Sequence, residues 1–174
     1  MAQELRDLLV PLAKEVPLCL VQRAGSDETV EQDGMKVYRT AQSVRSSPHV
    51  LAYAHLLNVD LVRGATKAIH EAGGVSLVHC HDWISSLAGV HLSSNFRIPL
   101  VISLYSTELS RSHSLGTLLS MGIFDLERHC LRNADAVVAD PALNDSLVRD
   151  YSLELGKIFP RGSELMELYS RWLR

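Results

Sequence analysis

Apolar residues in this chain recur at two spacings. Near the start, Leu5, Leu8, Leu9 and Leu12 share one face, while Gln3, Glu4, Arg6, Asp7 and Lys14 lie mostly off it. This pattern predicts an amphipathic helix over 2–15, ended by Pro17. Leu18-Cys19-Leu20-Val21 reads as a short apolar strand closed by the turn-forming stretch 24–27, with a hairpin or loop after it and a second strand over 35–39. Ser46-Ser47-Pro48 starts a long helix to about residue 71, in which Val50, Ala54, Leu57, Leu61, Ala65 and Ala68 recur at steps of three and four. Gly73-Gly74 stops it. A strand over 76–80, a helix over 83–94 and a strand over 99–104 follow. A loop over 105–115 leads to a helix ending near residue 132, then a strand over 134–139. Pro141 opens a further helix, 157–159 reads as a short strand, and a last amphipathic helix carries Leu165, Leu168, Tyr169, Trp172 and Leu173.

Strands and helices therefore alternate, and the strands lack clean polar–apolar alternation. Parallel strands covered on both faces read this way. The expected fold is α/β, a Rossmann-like parallel sheet with helices on both faces. Nothing repeats internally and no linker divides the 174 residues, so one domain over 1–174 is expected.

Composition changes this picture only by exclusion. At 47% hydrophobic and 21% charged, the chain can bury a substantial core. A net charge of −3 without a basic stripe argues against nucleic acid or an anionic membrane as partner. No run approaches the ~20 apolar residues of a membrane span. The acidic, amphipathic start is wrong for a targeting signal, so a cytoplasmic location is expected. Cys19, Cys80 and Cys130 are widely spaced with no CxxC pair, and read as reduced thiols.

Most of the chemical content lies in His79-Cys80-His81-Asp82-Trp83, where a buried strand leaves the sheet and a helix begins. Ligands of open parallel sheets gather at the carboxyl ends of strands. An extended backbone points His79 and His81 to one face and Cys80 to the other. Asp82 is placed to cap the following helix or to hold an imidazole in one tautomer. Three readings stand at this point: two histidines bonded to backbone at a strand end, a metal site, or a histidine that binds a sugar. A metal site requires further ligands in recognisable places, and Asp125, His129 and Asp140 form no known spacing with the pair, so no metal is expected.

The stretches SLVHCHDWISSLAGV, IPLVISLYSTELSR, ERHCLRNADAVVAD and GKIFPRG occur in the order and spacing of the retaining GT-B glycosyltransferases, and resemble their glycogen/starch-synthase-like branch over about residues 76–162. The resemblance implies the N-terminal, acceptor-side domain of a two-domain enzyme that transfers glucose from a nucleotide-sugar to a glucan. It implies that His81 approaches the donor sugar and stabilises developing charge, with Asp82 orienting it. His79, Trp83, Ser106, Thr107 and Glu108 are the implied substrate-binding residues. The implied donor is ADP-glucose or UDP-glucose, with no other cofactor.

The chain departs from the family pattern in several places. Tyr105 stands where the family has a histidine, Asp140 where it has a serine, and Arg161-Gly162 where it has Asn-Gly. The family's first strand and its Gly-rich loop have no counterpart before the first helix, and no donor-binding domain is recognisable. Glu164 and the residues after it resemble the helix that ends many such enzymes. The chain is therefore expected to be inactive without a donor-domain partner chain. The alternatives are a non-catalytic glycan-binding or regulatory remnant of the same fold, or a metal-dependent hydrolase using His79 and His81. A missing central strand leaves two outcomes: direct pairing of 18–21 with 77–80, or a partner chain over the edge, most simply in a homo-oligomer.

Overall fold

The computed structural model describes residues 3–162 and 165–173. Ala2 in the first expected helix and Glu164 before the last lie outside the described residues. Helix α1 (Gln3–Leu12) precedes three strands, β1 (Cys19–Ala24), β2 (Glu28–Gln32) and β3 (Met35–Ala41). β1 pairs parallel with β3, and β2 pairs antiparallel with β3 as a hairpin, one of the two forms expected after residue 27. The reason is local: Asp33 and Gly34 both adopt positive φ, 53° and 78°, which suits a two-residue hairpin turn.

The long helix α2 (Val50–Ala72) then crosses over β1 and β3. It ends at Gly73, whose φ of 73° suits glycine and whose amide donates back to His70 O at 3.2 Å. β4 (Val78–His81), α3 (Trp83–Phe96) and β5 (Leu100–Ser103) follow. The segment expected to be a loop after β5 contains a short helix, α4 (Glu108–Ser112), because Thr107 and Ser110 form a reciprocal capping box. Helix α5 (Leu118–Asn133), strand β6 (Ala136–Ala139), a 3₁₀ turn, α6 (Asn144–Arg149), β7 (Ile158–Pro160) and α7 (Leu165–Tyr169) complete the order. Strands β4 to β7 are parallel and adjacent in sequence order.

Every residue of β5 and β6 is buried, which explains why neither strand alternates in sequence. Leu100, Ile102 and Val137 belong to a core with Val90, Cys130, Leu131, Leu147 and Tyr151, beneath α3 and α5. Val101, Ala136 and Val138 belong to a second core on the other face, with Leu9 and Leu12 of α1 and Leu165, Leu168 and Tyr169 of α7. That second core also takes Met35 and Val37 of β3, so the same helices cover both sheets.

The two sheets nevertheless do not join. The expected pairing of 18–21 with 77–80 is not formed, and the sheets remain separate ladders. Leu18 O and Ala24 O accept from β3 and its extension (Lys36 N at 3.1 Å, Gln42 N at 3.2 Å). In a parallel ladder bonding alternates, so the backbones of Cys19, Val21 and Arg23 face the other way. Val78 N and Asp82 N likewise donate toward β5, at 2.9 and 2.7 Å, which turns the backbones of His79 and His81 away from it. β1 is half-buried along its whole length and β4 at three of four positions.

Candidate active site

The carboxyl ends of β4, β5 and β6 hold the polar residues singled out in the sequence. The rings of His79 and His81 stack 4.5 Å apart at 23°, the same-face arrangement expected of a strand, while Cys80 lies in the opposite core. The two imidazoles differ in what they touch. His79 Nε2 shares a hydrogen bond with the Ser103 hydroxyl at 2.8 Å, and Nδ1 shares one with the Tyr169 hydroxyl of α7. Both nitrogens of His79 are therefore engaged by protein, which ties β4 to β5 and to α7. His81 Nδ1 faces the Tyr105 hydroxyl at 3.3 Å, and its Nε2 has no hydrogen-bond partner among the described residues.

Burial disfavours the charged imidazole. It pushes His81 down to about 4, and holds His79 well below the usual histidine range, with a smaller contribution from His81. At neutral pH His81 is a neutral ring with one nitrogen left without a hydrogen-bond partner among the described residues, suited to hydrogen-bonding a hydroxyl.

Asp82 does not orient an imidazole. Its carboxylate accepts from the amide of Trp83 at 3.0 Å, capping α3. Its backbone sits at φ 66°, ψ 162°, a region that is nearly glycine-only and costs about 1–3 kcal/mol for other residues. The strain lies in the turn that carries the chain from His81 directly into the helix.

The Ser-Thr-Glu segment is only partly open to solvent. Thr107 and Glu108 are buried, because Thr107 caps α4 and Glu108 is drawn inward by an ionic cluster. Only Tyr105 is exposed and Ser106 half-buried. The centre of that cluster is Glu127, a motif residue to which the sequence reading gave no role. Its carboxylate is fully buried and accepts from Glu108 N at 2.8 Å, Tyr151 Oη at 2.8 Å and Arg111 Nη2 at 2.5 Å. Burial lifts the Glu127 carboxyl above its ordinary range, and these three donors offset that. Arg111 also donates to Ser106 Oγ at 2.9 Å and Glu108 Oε2 at 3.0 Å, and its guanidinium lies 5.8 Å from the centre of the Trp83 ring. Glu127 and Arg111 thereby position the segment carrying Tyr105 beside His81. A buried acid 19 residues from Glu108, in another helix, gave no local signal of this.

Among the described residues no three His, Cys, Asp or Glu side chains converge as metal ligands. Asp140 instead caps the 3₁₀ turn, accepting from Ala142 N at 2.9 Å. All three cysteines are free, and burial raises the Cys80 and Cys130 thiols to about 12. No helix among the described residues is long and apolar enough to cross a membrane.

A parallel sheet covered by helices on both faces, with polar side chains gathered at its strand ends, defines an α/β domain of the kind found in GT-B glycosyltransferases. The chain belongs to the family described as glycosyl transferase 4-like domain, whose pattern matches residues 1–154. It is 30% identical over 95 residues to an uncharacterized glycosyltransferase of Methanocaldococcus jannaschii, covering 55% of this chain and 23% of that protein. Sucrose-phosphate synthase from Thermosynechococcus elongatus superposes with a TM-score of 0.71 at 16% identity, over 90% of this chain and 41% of that one. The apo structure of UGT2 from Phytolacca americana superposes with a TM-score of 0.60 at 8% identity, over 98% and 53%. The chain thus spans less than half the length of the first two of these proteins.

Proposed function

We propose that this chain forms the acceptor-side half of a retaining hexosyltransferase, of the glycogen/starch-synthase-like kind, and works with a donor-binding half that holds ADP-glucose or UDP-glucose. The observation that carries this reading is the neutral His81, held on one nitrogen by Tyr105 and open on the other at the end of β4. A neutral imidazole there accepts from or donates to a sugar hydroxyl without bringing a charge that water must solvate. Trp83 and Ser106 flank it, and His79 serves the site by fixing α7. By itself the chain binds glycan and does not turn over nucleotide-glucose.

Titration with a maltooligosaccharide, followed by amide NMR, tests this. Shifts should cluster at residues 81–83 and 105–106, and His81→Ala should weaken binding about tenfold, the loss of one to two hydrogen bonds. Absence of glycan binding would overturn the acceptor-side reading. Transfer from ADP-glucose or UDP-glucose by the chain alone, lost in His81→Ala, would overturn its dependence on a second half. Binding with no transfer even when a donor half is supplied would favour the non-catalytic glycan-binding module.

A further inference from the structure

Two of the residues by which this chain departs from the family pattern touch each other. The guanidinium of Arg161 lies 4.6 Å from the centre of the Tyr105 ring, and Tyr105 in turn meets His81. Arg161 is also tied to the scaffold. Its backbone amide donates to Ala139 O at 2.7 Å, and Nη2 donates to Leu104 O at 2.9 Å. An arginine has five N–H donors, so this anchoring leaves most of the fork unoccupied. Among the described residues Arg161 has no carboxylate partner, whereas Arg111, the other guanidinium near the site, is paired with both Glu108 and Glu127. The remaining charges at these strand ends are Asp82 and Asp140, and each carboxylate accepts from a backbone amide of its own turn. His79 and His81 are neutral at pH 7. Among the described residues the exposed positive charge at these strand ends is therefore Arg161, held in place, stacked on the Tyr105 ring and linked through it to His81.

We infer that Arg161 and Tyr105 make this site select an acceptor sugar bearing an oxyanion, either a carboxylate or a phosphate, over a neutral glucan. The inference rests on the acceptor-side reading above and names the acceptor class for that site. A planar guanidinium grips two oxygens of such a group at once, which an ammonium does not reproduce. The Tyr105 ring beneath it contributes cation–π attraction and fixes its plane.

The test compares three probes on the 174-residue chain by calorimetry at low and at 0.5 M salt: maltotetraose, tetragalacturonate and glucose 6-phosphate. At least one anionic probe should bind at least tenfold tighter than maltotetraose, and high salt should erase most of that margin. Arg161→Ala should remove the margin, and Arg161→Lys should restore part of it. The carboxylate and phosphate arms identify which oxyanion is preferred. Equal affinity for the neutral and anionic probes, or an anionic preference that survives Arg161→Ala, overturns the inference and leaves the acceptor-side reading standing. If none of the three binds, both fall. Preserved amide spectra of the two variants distinguish a lost contact from a lost fold, and Arg161→Lys binding the anionic probe as tightly as the unaltered chain counts against bidentate recognition.

Discussion

The two halves of the sheet use charge and burial in opposite ways. In the half built from β1 to β3, the ion pairs lie mostly on the surface. Lys36 and Tyr38 meet Glu71, Arg63 meets Asp27, and Arg39 meets Glu28, all with side chains substantially exposed except Tyr38. Asp60 is the exception, buried and accepting from the Ser43 amide. In the half built from β4 to β7, the two middle strands are wholly buried and the principal charge cluster, around Glu127, is buried with them. Exposed pairs are screened and contribute ~0–1 kcal/mol, whereas a buried pair broken on one side leaves an uncompensated charge. The charge whose removal should cost most therefore lies beside the candidate site, and Asp60, 3.8 Å from the Arg23 guanidinium, is its counterpart in the first region.

The largest expected contrast is in amide exchange. Ile102 and Val137 should exchange only by global unfolding, and the amides of Val21, Arg23 and His79 by local opening, at least a thousandfold faster. Protection at all five positions in a chain that sediments as a monomer would show that the seam between the two sheets is closed in solution. Protection that depends on protein concentration would show a partner copy covering it.

Next in size is the buried cluster. Glu127→Ala should destabilise the chain by about 3–5 kcal/mol in urea unfolding, because Arg111 and Tyr151 lose their partner in a buried setting. A loss below 1 kcal/mol would erase the distinction between the halves.

The stacked histidines predict a pH effect of on the order of 2 kcal/mol, allowing for partial exposure of His81. Their folded pKa values are depressed, to about 4 for His81, so below about 6.5 the unfolded chain binds more protons than the folded one. Stability should fall as pH drops from about 6.5 toward 4, and His79→Gln/His81→Gln should flatten that part of the curve. An unchanged slope in the double variant would place the acid sensitivity elsewhere.

Smallest is the surface pair. Lys36→Ala should cost less than about 1 kcal/mol, and 0.5 M salt should reduce even that. A larger, salt-insensitive loss would mean that the ammonium over the Tyr38 ring contributes through packing.

The alternation of strand and helix, the stop at Gly73, and the shared face of His79 and His81 were legible because each depends on local backbone geometry, whereas the first helix ends at Leu12, short of Pro17. So was the broad GT-B glycosyltransferase kind of the domain, though not its branch, since the His-Asp-Trp and Ser-Thr-Glu stretches sit at fixed intervals along the chain. The direction of β2 was not, because 28–32 carries no mark of whether it turns back on its neighbour until Asp33 and Gly34 take up their positive φ.

The roles within the site were decided by tertiary contacts alone. Two histidines two residues apart look equivalent in the chain, yet Tyr169, 90 residues on, engages one and leaves the other with an open nitrogen. Thr107 and Glu108 look exposed in the chain, yet Arg111, in the same helix α4, and Glu127, in the neighbouring α5, hold that segment inward. Local spacing determined which residues reach the end of the sheet. Which of them face solvent with a hydrogen bond still to make depended on partners brought from far along the chain, because satisfying buried polar groups is a property of the packed whole.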